Sequence, residues 1–176
     1  MVQQILHRVF HTMGIAVHCT LVGVTEKEAD TRTAEAERIF NAYDKRFSRF
    51  KNDSELMRLN NSDGKPTAVS LEMFQIIKKC YNLAQETAGI FDPSVGSILA
   101  SYNDGLPEDY TLPPRPPTFR DIIFNNRELE ITLAPMQILE PAGIVKGIAI
   151  DAASEAFNGI TGYMINAGGD ILTHGK

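Results

Sequence analysis

From Val9 to Val24 the chain alternates small, apolar and β-branched residues, among them Ile15, Val17, Thr20 and Val22, which predicts a strand or one arm of a hairpin. Thr25-Glu-Lys-Glu then supplies an N-cap and an acidic first turn. Ala29, Ala36, Ile39, Phe40, Tyr43 and Phe47 follow at helical spacing, so a long amphipathic helix is expected to end near Phe47. Residues 48–66 are rich in Ser, Asn, Asp and Gly and read as a loop, within which Ser54-Glu-Leu-Met-Arg-Leu-Asn60 is compatible with a helical turn. Ser70 is a plausible cap for a second helix, whose stripe of Met73, Phe74, Ile77, Cys80, Tyr81 and Ala84 runs until Gly89 closes it.

Phe91-Asp-Pro-Ser-Val-Gly96 opens an irregular segment leading to a short helix around Ser97–Ser101. Tyr102–Pro117, rich in Pro, Gly, Asp and Tyr, reads as an ordered or partly mobile loop inside the domain. Ile122–Phe124 and Leu129–Leu133 flank Asn125-Asn-Arg-Glu128 as a short hairpin with a tight polar turn. Lys146–Phe157 reads as a helix, with Ile148, Ala152, Ala156 and Phe157 on one side, and Tyr163–Asn166 as a strand running into Gly168-Gly169-Asp170. No internal repeat or low-complexity segment appears.

With 176 residues and 43% hydrophobic content, the chain is long enough to bury a sizeable core, and a single domain over 1–176 is expected. The formal charge of −5 comes from dispersed Asp and Glu, without a basic run to neutralise a nucleic-acid backbone, which argues against nucleic acid as a partner. Of the 2 cysteines, Cys19 lies in an alternating apolar run and Cys80 in a helical one; neither has a neighbour at metal-ligand spacing, and both read as small buried hydrophobes. No apolar stretch approaches the roughly 20 residues that span a bilayer. Met1–His11 lacks the apolar block and cleavage site of a secretory signal.

Candidate chemistry concentrates in Glu140-Pro-Ala-Gly-Ile-Val-Lys-Gly-Ile-Ala-Ile-Asp151, where an acid, a glycine, a lysine and a second acid surround the start of a helix. Free N–H groups at a helix start, with glycine and lysine beside them, suit a pyrophosphate; the segment matches neither a Walker loop nor a Rossmann fingerprint, and a turn with a solvated lysine is the alternative. Asn166-Ala-Gly-Gly-Asp-Ile171 places paired glycines at a strand end, where backbone can approach a ligand or simply turn. Asp92, directly before Pro93, either caps the next helix or binds a ligand. Phe47-Ser-Arg-Phe50 with Asp53, Ser54 and Asn60 mixes aromatic faces with hydrogen-bonding groups, as a planar heteroaromatic ligand or a core-capping loop would require.

Taken in order, Met13-Gly14, Phe47-Ser48, Ser54–Asn60, Gly89-Ile-Phe-Asp-Pro-Ser-Val-Gly96, Leu139–Asp151 and Asn166-Ala-Gly-Gly-Asp170 resemble the ApbE-type flavin transferases over nearly the whole chain. The resemblance implies an α+β fold, a mixed β-sheet with packed helices, and a cofactor cleft lined by the loops after Phe47, Gly89, Leu139 and Asn166. It implies binding of FAD and Mg, and transfer of FMN onto a threonine hydroxyl of a target protein with release of AMP. Met13, Phe50, Ile90, Phe91, Asp92, Glu140 and Lys146 then stand where the family contacts FAD, and the Gly143 backbone carbonyl where it supplies one metal ligand. Lys146 would contact the phosphates, and Asp151 and Asp92 are the candidate general bases.

Several positions depart from that pattern. Ile15 stands where a threonine is usual, Glu140-Pro141-Ala142 where Asp-Leu-Gly is usual, Val145 where alanine is usual, and Tyr102-Asn-Asp-Gly105 where an aromatic Trp-Gly-Phe is common. The family continues well past the paired glycines, with a carboxylate and a threonine that complete the metal site. The sequence is therefore expected to be incomplete at its C-terminus: either a second chain or homo-oligomer completes the fold, or the remainder was removed, or the protein is not a competent transferase. Two further readings are a truncated or non-catalytic FAD-binding protein of the same fold, and an interaction module without flavin. By family habit the location is bacterial, periplasmic or membrane-anchored; with the N-terminus as it stands it is cytoplasmic.

Overall fold

The computed structural model describes residues 4–99 and 113–175. They form two compact units, one made of the described residues up to Arg46 and from Val145 onward, the other of Phe47–Ile144. In the first unit, β1 (Ile5–Thr12) and β2 (Ile15–Val22) pair antiparallel, with Ile5 opposite Val22 and Thr12 opposite Ile15. The turn between them is Met13-Gly14, with φ of 51° and 71°. Positive φ at both central positions is the tight hairpin geometry whose twist matches the strands it joins. The expected strand from Val9 therefore becomes two, and the pairing begins earlier, at Ile5.

β6 (Gly162–Ala167) and β7 (Asp170–Gly175) extend the sheet in the order β1-β2-β6-β7, every pair antiparallel. Alternation sends Leu6, Phe10, Val17, Cys19, Leu21, Tyr163, Ile165 and Ala167 to one face, where they are buried. α1 (Glu26–Phe47) and α5 (Ala142–Ser154) lay Ala29, Ala36, Phe40, Ala149, Ile150 and Ala153 onto the same core. Phe40 and Phe157, both fully buried, fill what remains, and each such large side chain contributes roughly 1.5–3 kcal/mol. Thr25 Oγ1 accepts from the Glu28 N–H at 3.3 Å, and acids in the first turn and bases in the last complement the dipole of α1. A one-turn 3₁₀ segment, Glu155–Phe157, follows α5, and Arg32 closes it by donating to the carbonyls of Ala156 and Asn158 at 2.8 and 3.0 Å.

In the second unit α2 (Glu55–Asn60) is capped by Ser54, β3 is Thr67–Ala68, and α3 (Leu71–Glu86) is capped by Ser70, whose Oγ accepts from the Met73 N–H at 3.2 Å. A 3₁₀ turn at Pro93–Val95 leads into α4 (Gly96–Leu99). A second 3₁₀ turn, Phe119–Asp121, carries a capping box between Thr118 and Asp121. β4 (Ile123–Asn125) and β5 (Glu130–Thr132) make an antiparallel sheet with β3 in the order β3-β5-β4. Their connection, residues 126–129, has the four-residue length of the expected turn but lies one position further along: Asn125 Oδ1 accepts from the N–H groups of Arg127 and Glu128, and Leu129 takes a φ of 52°. α3 buries Ile76 as well as the expected stripe apart from Tyr81, which is half-buried, and Phe74 and Tyr81 meet Phe124 edge-on at 5.5 and 5.4 Å.

The short helix expected at Ser97–Ser101 is described over Gly96–Leu99; Ala100 and Ser101, and Tyr102–Leu112 of the following loop, lie outside the described residues. Both cysteines are buried, and burial pushes each thiol up to about 12. Among the described residues no helix is long and apolar enough to cross a membrane.

Candidate functional site

The second unit gathers most of the residues singled out above. Phe47 is buried and serves the core, whereas Phe50 is 74% exposed. Of the hydrogen-bonding groups that follow, Ser54 is spent as the cap of α2. Asn60 is spent on Leu139, donating Nδ2–H to its carbonyl at 3.1 Å and accepting its N–H at 2.9 Å. That two-way clamp holds the backbone directly before Glu140. The Glu140 N–H donates to the Pro93 carbonyl at 2.7 Å, its Oε1 accepts the Ala142 N–H at 3.2 Å, and its Oε2 pairs with Arg49 Nε at 2.5 Å.

α5 begins at Ala142, not at Lys146 as the sequence suggested. Pro141 can lead into a helix with its fixed φ, and the Glu140 carboxylate accepts the Ala142 N–H, one of those that such a start leaves open. Gly143 thus sits inside the first turn, where a Cβ would rest 3.8 Å from the Phe91 ring. α3 ends through Ala88 and Gly89, with φ of 53° and 87°, and this turns Ile90 outward to 94% exposure. Asp92 adopts the capping role: Oδ1 accepts the Ser94 N–H at 2.8 Å, and both oxygens receive the Phe119 N–H, at 3.1 and 3.2 Å. Behind this loop, buried Gln137 bonds Ala134, Ser94 and Thr118, and Ser97 bonds Met136 and Ile138.

In the first unit the Met13-Gly14 turn and the Gly168-Gly169 turn occupy the same end of the sheet, because Val17 of β2 pairs with Ala167 of β6. A Cβ on Gly168 would stand 3.3 Å from Ile15, and Asn166 Oδ1 accepts the Gly169 N–H at 3.0 Å. Lys146 Nζ reaches this end and pairs with Asp170 at 3.0 Å. Lys146 is thereby brought to the glycine turn, with Met13 in the turn at the same end of the sheet. Asp151 is not: at 100° per residue it stands about 140° around α5 from Lys146, and it is exposed. Arg49 and Asp170 are the partners that sequence reasoning passed over. Their signals, a base between two aromatics and an acid after paired glycines, carry meaning only once Glu140 and Lys146 are seen beside them.

An ammonium held by an exposed carboxylate next to a glycine turn suits an anionic group, and an exposed aromatic beside an ion pair suits a planar ring. The class that the helices and antiparallel sheets define is an α+β protein. The ApbE family model matches residues 13–176, and the chain belongs to that family. Among curated relatives it is 25% identical over 179 residues to an FAD:protein FMN transferase of Klebsiella pneumoniae, covering 93% of this chain and 51% of that protein. It is 29% identical over 165 residues to the one from Vibrio cholerae, covering 84% and 48%. The chain thus spans about half the length of the curated relatives it matches. The fold is shared with the ApbE protein of Thermotoga maritima, at a TM-score of 0.81 and 21% identity over 97% of this chain and 59% of that one. It is shared equally with the flavin transferase ApbE of Vibrio cholerae, at 0.79 and 22% over the same shares.

Proposed function

We propose that this chain holds FAD and serves in moving its FMN half onto a threonine hydroxyl of a target protein, with release of AMP. The observation that carries this reading is the family match over residues 13–176, which takes in Met13, Phe50, Ile90–Asp92, Glu140, Lys146 and the Asn166–Asp170 turn in order. In the reaction the threonine oxygen forms a bond to the phosphorus of the FMN half while the bond from that same phosphorus to the bridging oxygen breaks, the oxygen staying with AMP. AMP leaves with the bonding electrons, and the hydroxyl proton passes to a base. The Lys146 ammonium would neutralise charge on the bridging and leaving oxygens, with Asp170 holding Nζ until the phosphates replace it. Neither carboxylate singled out as a base is ideally set: Asp92 is committed to backbone N–H groups, and Asp151 faces away from Lys146.

Magnesium, which the resemblance implies, would screen the pyrophosphate charge. Among the described residues no three His, Cys, Asp or Glu side chains converge. Gly143, inside α5, offers one carbonyl that a regular helix directs to the Gly147 N–H, whereas a hard cation takes about six oxygens. The described residues do not fit a complete magnesium site.

The test is incubation with FAD and a threonine-bearing acceptor peptide, with and without magnesium, reading AMP and flavinylated peptide by mass spectrometry. Appearance of both supports the transfer. FAD binding without AMP reassigns the chain to a flavin-holding protein of the same fold.

A further inference from the structure

The resemblance implies FAD contacts for Phe50 and Glu140 but none for Arg49, which is the physical link between them. The Arg49–Glu140 pair, Nε to Oε2 at 2.5 Å, lies largely out of water, with side chains 15% and 14% exposed. Removing one partner from such a pair strands the other charge, so the two hold each other's geometry more firmly than a surface pair would. Oε1 is meanwhile held by the Ala142 N–H, and the Glu140 backbone by the Pro93 carbonyl. Glu140 is thus held at both carboxylate oxygens and at its backbone N–H.

The same guanidinium lies over the Phe50 ring, its carbon 4.2 Å from the centroid. Phe50 is 74% exposed, an orientation that costs hydrophobic free energy and that a stacked cation helps to maintain. A ring backed by a cation on one face and open to solvent elsewhere is prepared to stack on a planar ligand. Glu140 is also one methylene longer than the aspartate usual in the family. An aspartate here would fall short of Arg49 by about one C–C bond, roughly 1.5 Å.

We infer that Arg49 is a positioning residue, which ties the Glu140 carboxylate and the Phe50 ring into one rigid platform for the flavin nucleotide. This rests on the FAD reading above. The experiment measures FAD dissociation constants for the wild-type chain and for Arg49→Ala, Arg49→Lys, Phe50→Ala, Glu140→Asp and the double variant Arg49→Ala/Phe50→Ala, at a temperature where thermal scans show every variant folded. Arg49→Ala is expected to weaken binding at least about tenfold. Arg49→Lys keeps the charge but loses the planar stack, and fails to rescue. Glu140→Asp weakens binding even though it installs the family's usual residue, and the double variant is no worse than about twofold beyond its weaker-binding single. A purely structural role would lower the melting temperature and leave FAD affinity in the folded variants unmoved. Wild-type binding with unchanged affinity in Arg49→Ala, or unchanged or tighter affinity in Glu140→Asp, overturns this inference alone. No FAD binding by the wild-type chain overturns the flavin reading itself and this inference with it.

Discussion

Asn60→Ala removes the clamp on Leu139, and its cost follows from the bonds it breaks. Leu139 is fully buried, and both its N–H and its carbonyl are satisfied by the Asn60 amide, at 2.9 and 3.1 Å. A buried backbone group left without a partner costs about 1–3 kcal/mol. Asn60 itself is half-buried, so water can enter part of the space it leaves, and the two orphaned groups together should cost about 2–4 kcal/mol. For a chain of this size that corresponds to a fall in melting temperature of roughly 4–16 °C. Urea unfolding followed by circular dichroism would show a lower midpoint with an unchanged slope. Asn60→Asp sharpens the test, because it keeps an acceptor for the N–H but sets an oxygen against the Leu139 carbonyl. At neutral pH it should be at least as unstable as the alanine variant. Because Leu139 leads directly into Glu140, both variants should also bind FAD more weakly. A loss below about 0.5 kcal/mol in Asn60→Ala, the range of ordinary surface substitutions, would refute the clamp.

Lys146→Ala should weaken FAD binding about 10- to 100-fold by isothermal titration, the worth of a charge-assisted bond to phosphate. It should change stability by less than about 1 kcal/mol, since the Lys146–Asp170 pair is partly solvated, with side chains 29% and 53% exposed. Gly96→Ala should destabilise by about 1–3 kcal/mol despite alanine's helical preference, because its Cβ would lie 2.6 Å from the Ile138 carbonyl oxygen; equal or greater stability in a melt would contradict that contact. Cys19 and Cys80 are held near 12 against an ordinary value of 9.0, so the unfolded chain releases those protons first. Their contribution is present below about pH 9 and is lost as pH rises towards 12, and stability curves at pH 8 and 10.5 should show the decline, reduced in Cys19→Ala.

The long helices were legible because their signals are local. Thr25 and Ser70 cap where expected, and the apolar stripes of α1 and α3 repeat over several turns. The hairpin at Met13-Gly14 is hidden because Met13 is not a customary residue for positive φ, so the alternation reads as running through it. The start of α5 was hidden because Pro141-Ala142-Gly143 reads as a turn until Glu140 is seen holding its first N–H. At the candidate site, sequence indicated Phe50, Glu140 and Lys146 but not what fixes them. Asn60 and Leu139 are separated by 79 positions, and Arg49 reaches Glu140 across a similar stretch; pairings of that range are set by the fold and leave no periodic trace. Asp92 showed the converse: its place before a proline offered capping or ligand binding equally, and only the Ser94 and Phe119 N–H groups assign it to the loop.

The central claim, that this chain holds a flavin nucleotide, is tested most directly by titrating the purified protein with FAD and following flavin fluorescence. The account predicts saturable binding that weakens in Lys146→Ala and persists in Cys80→Ala. A wild-type signal that never departs from that of free FAD would contradict it.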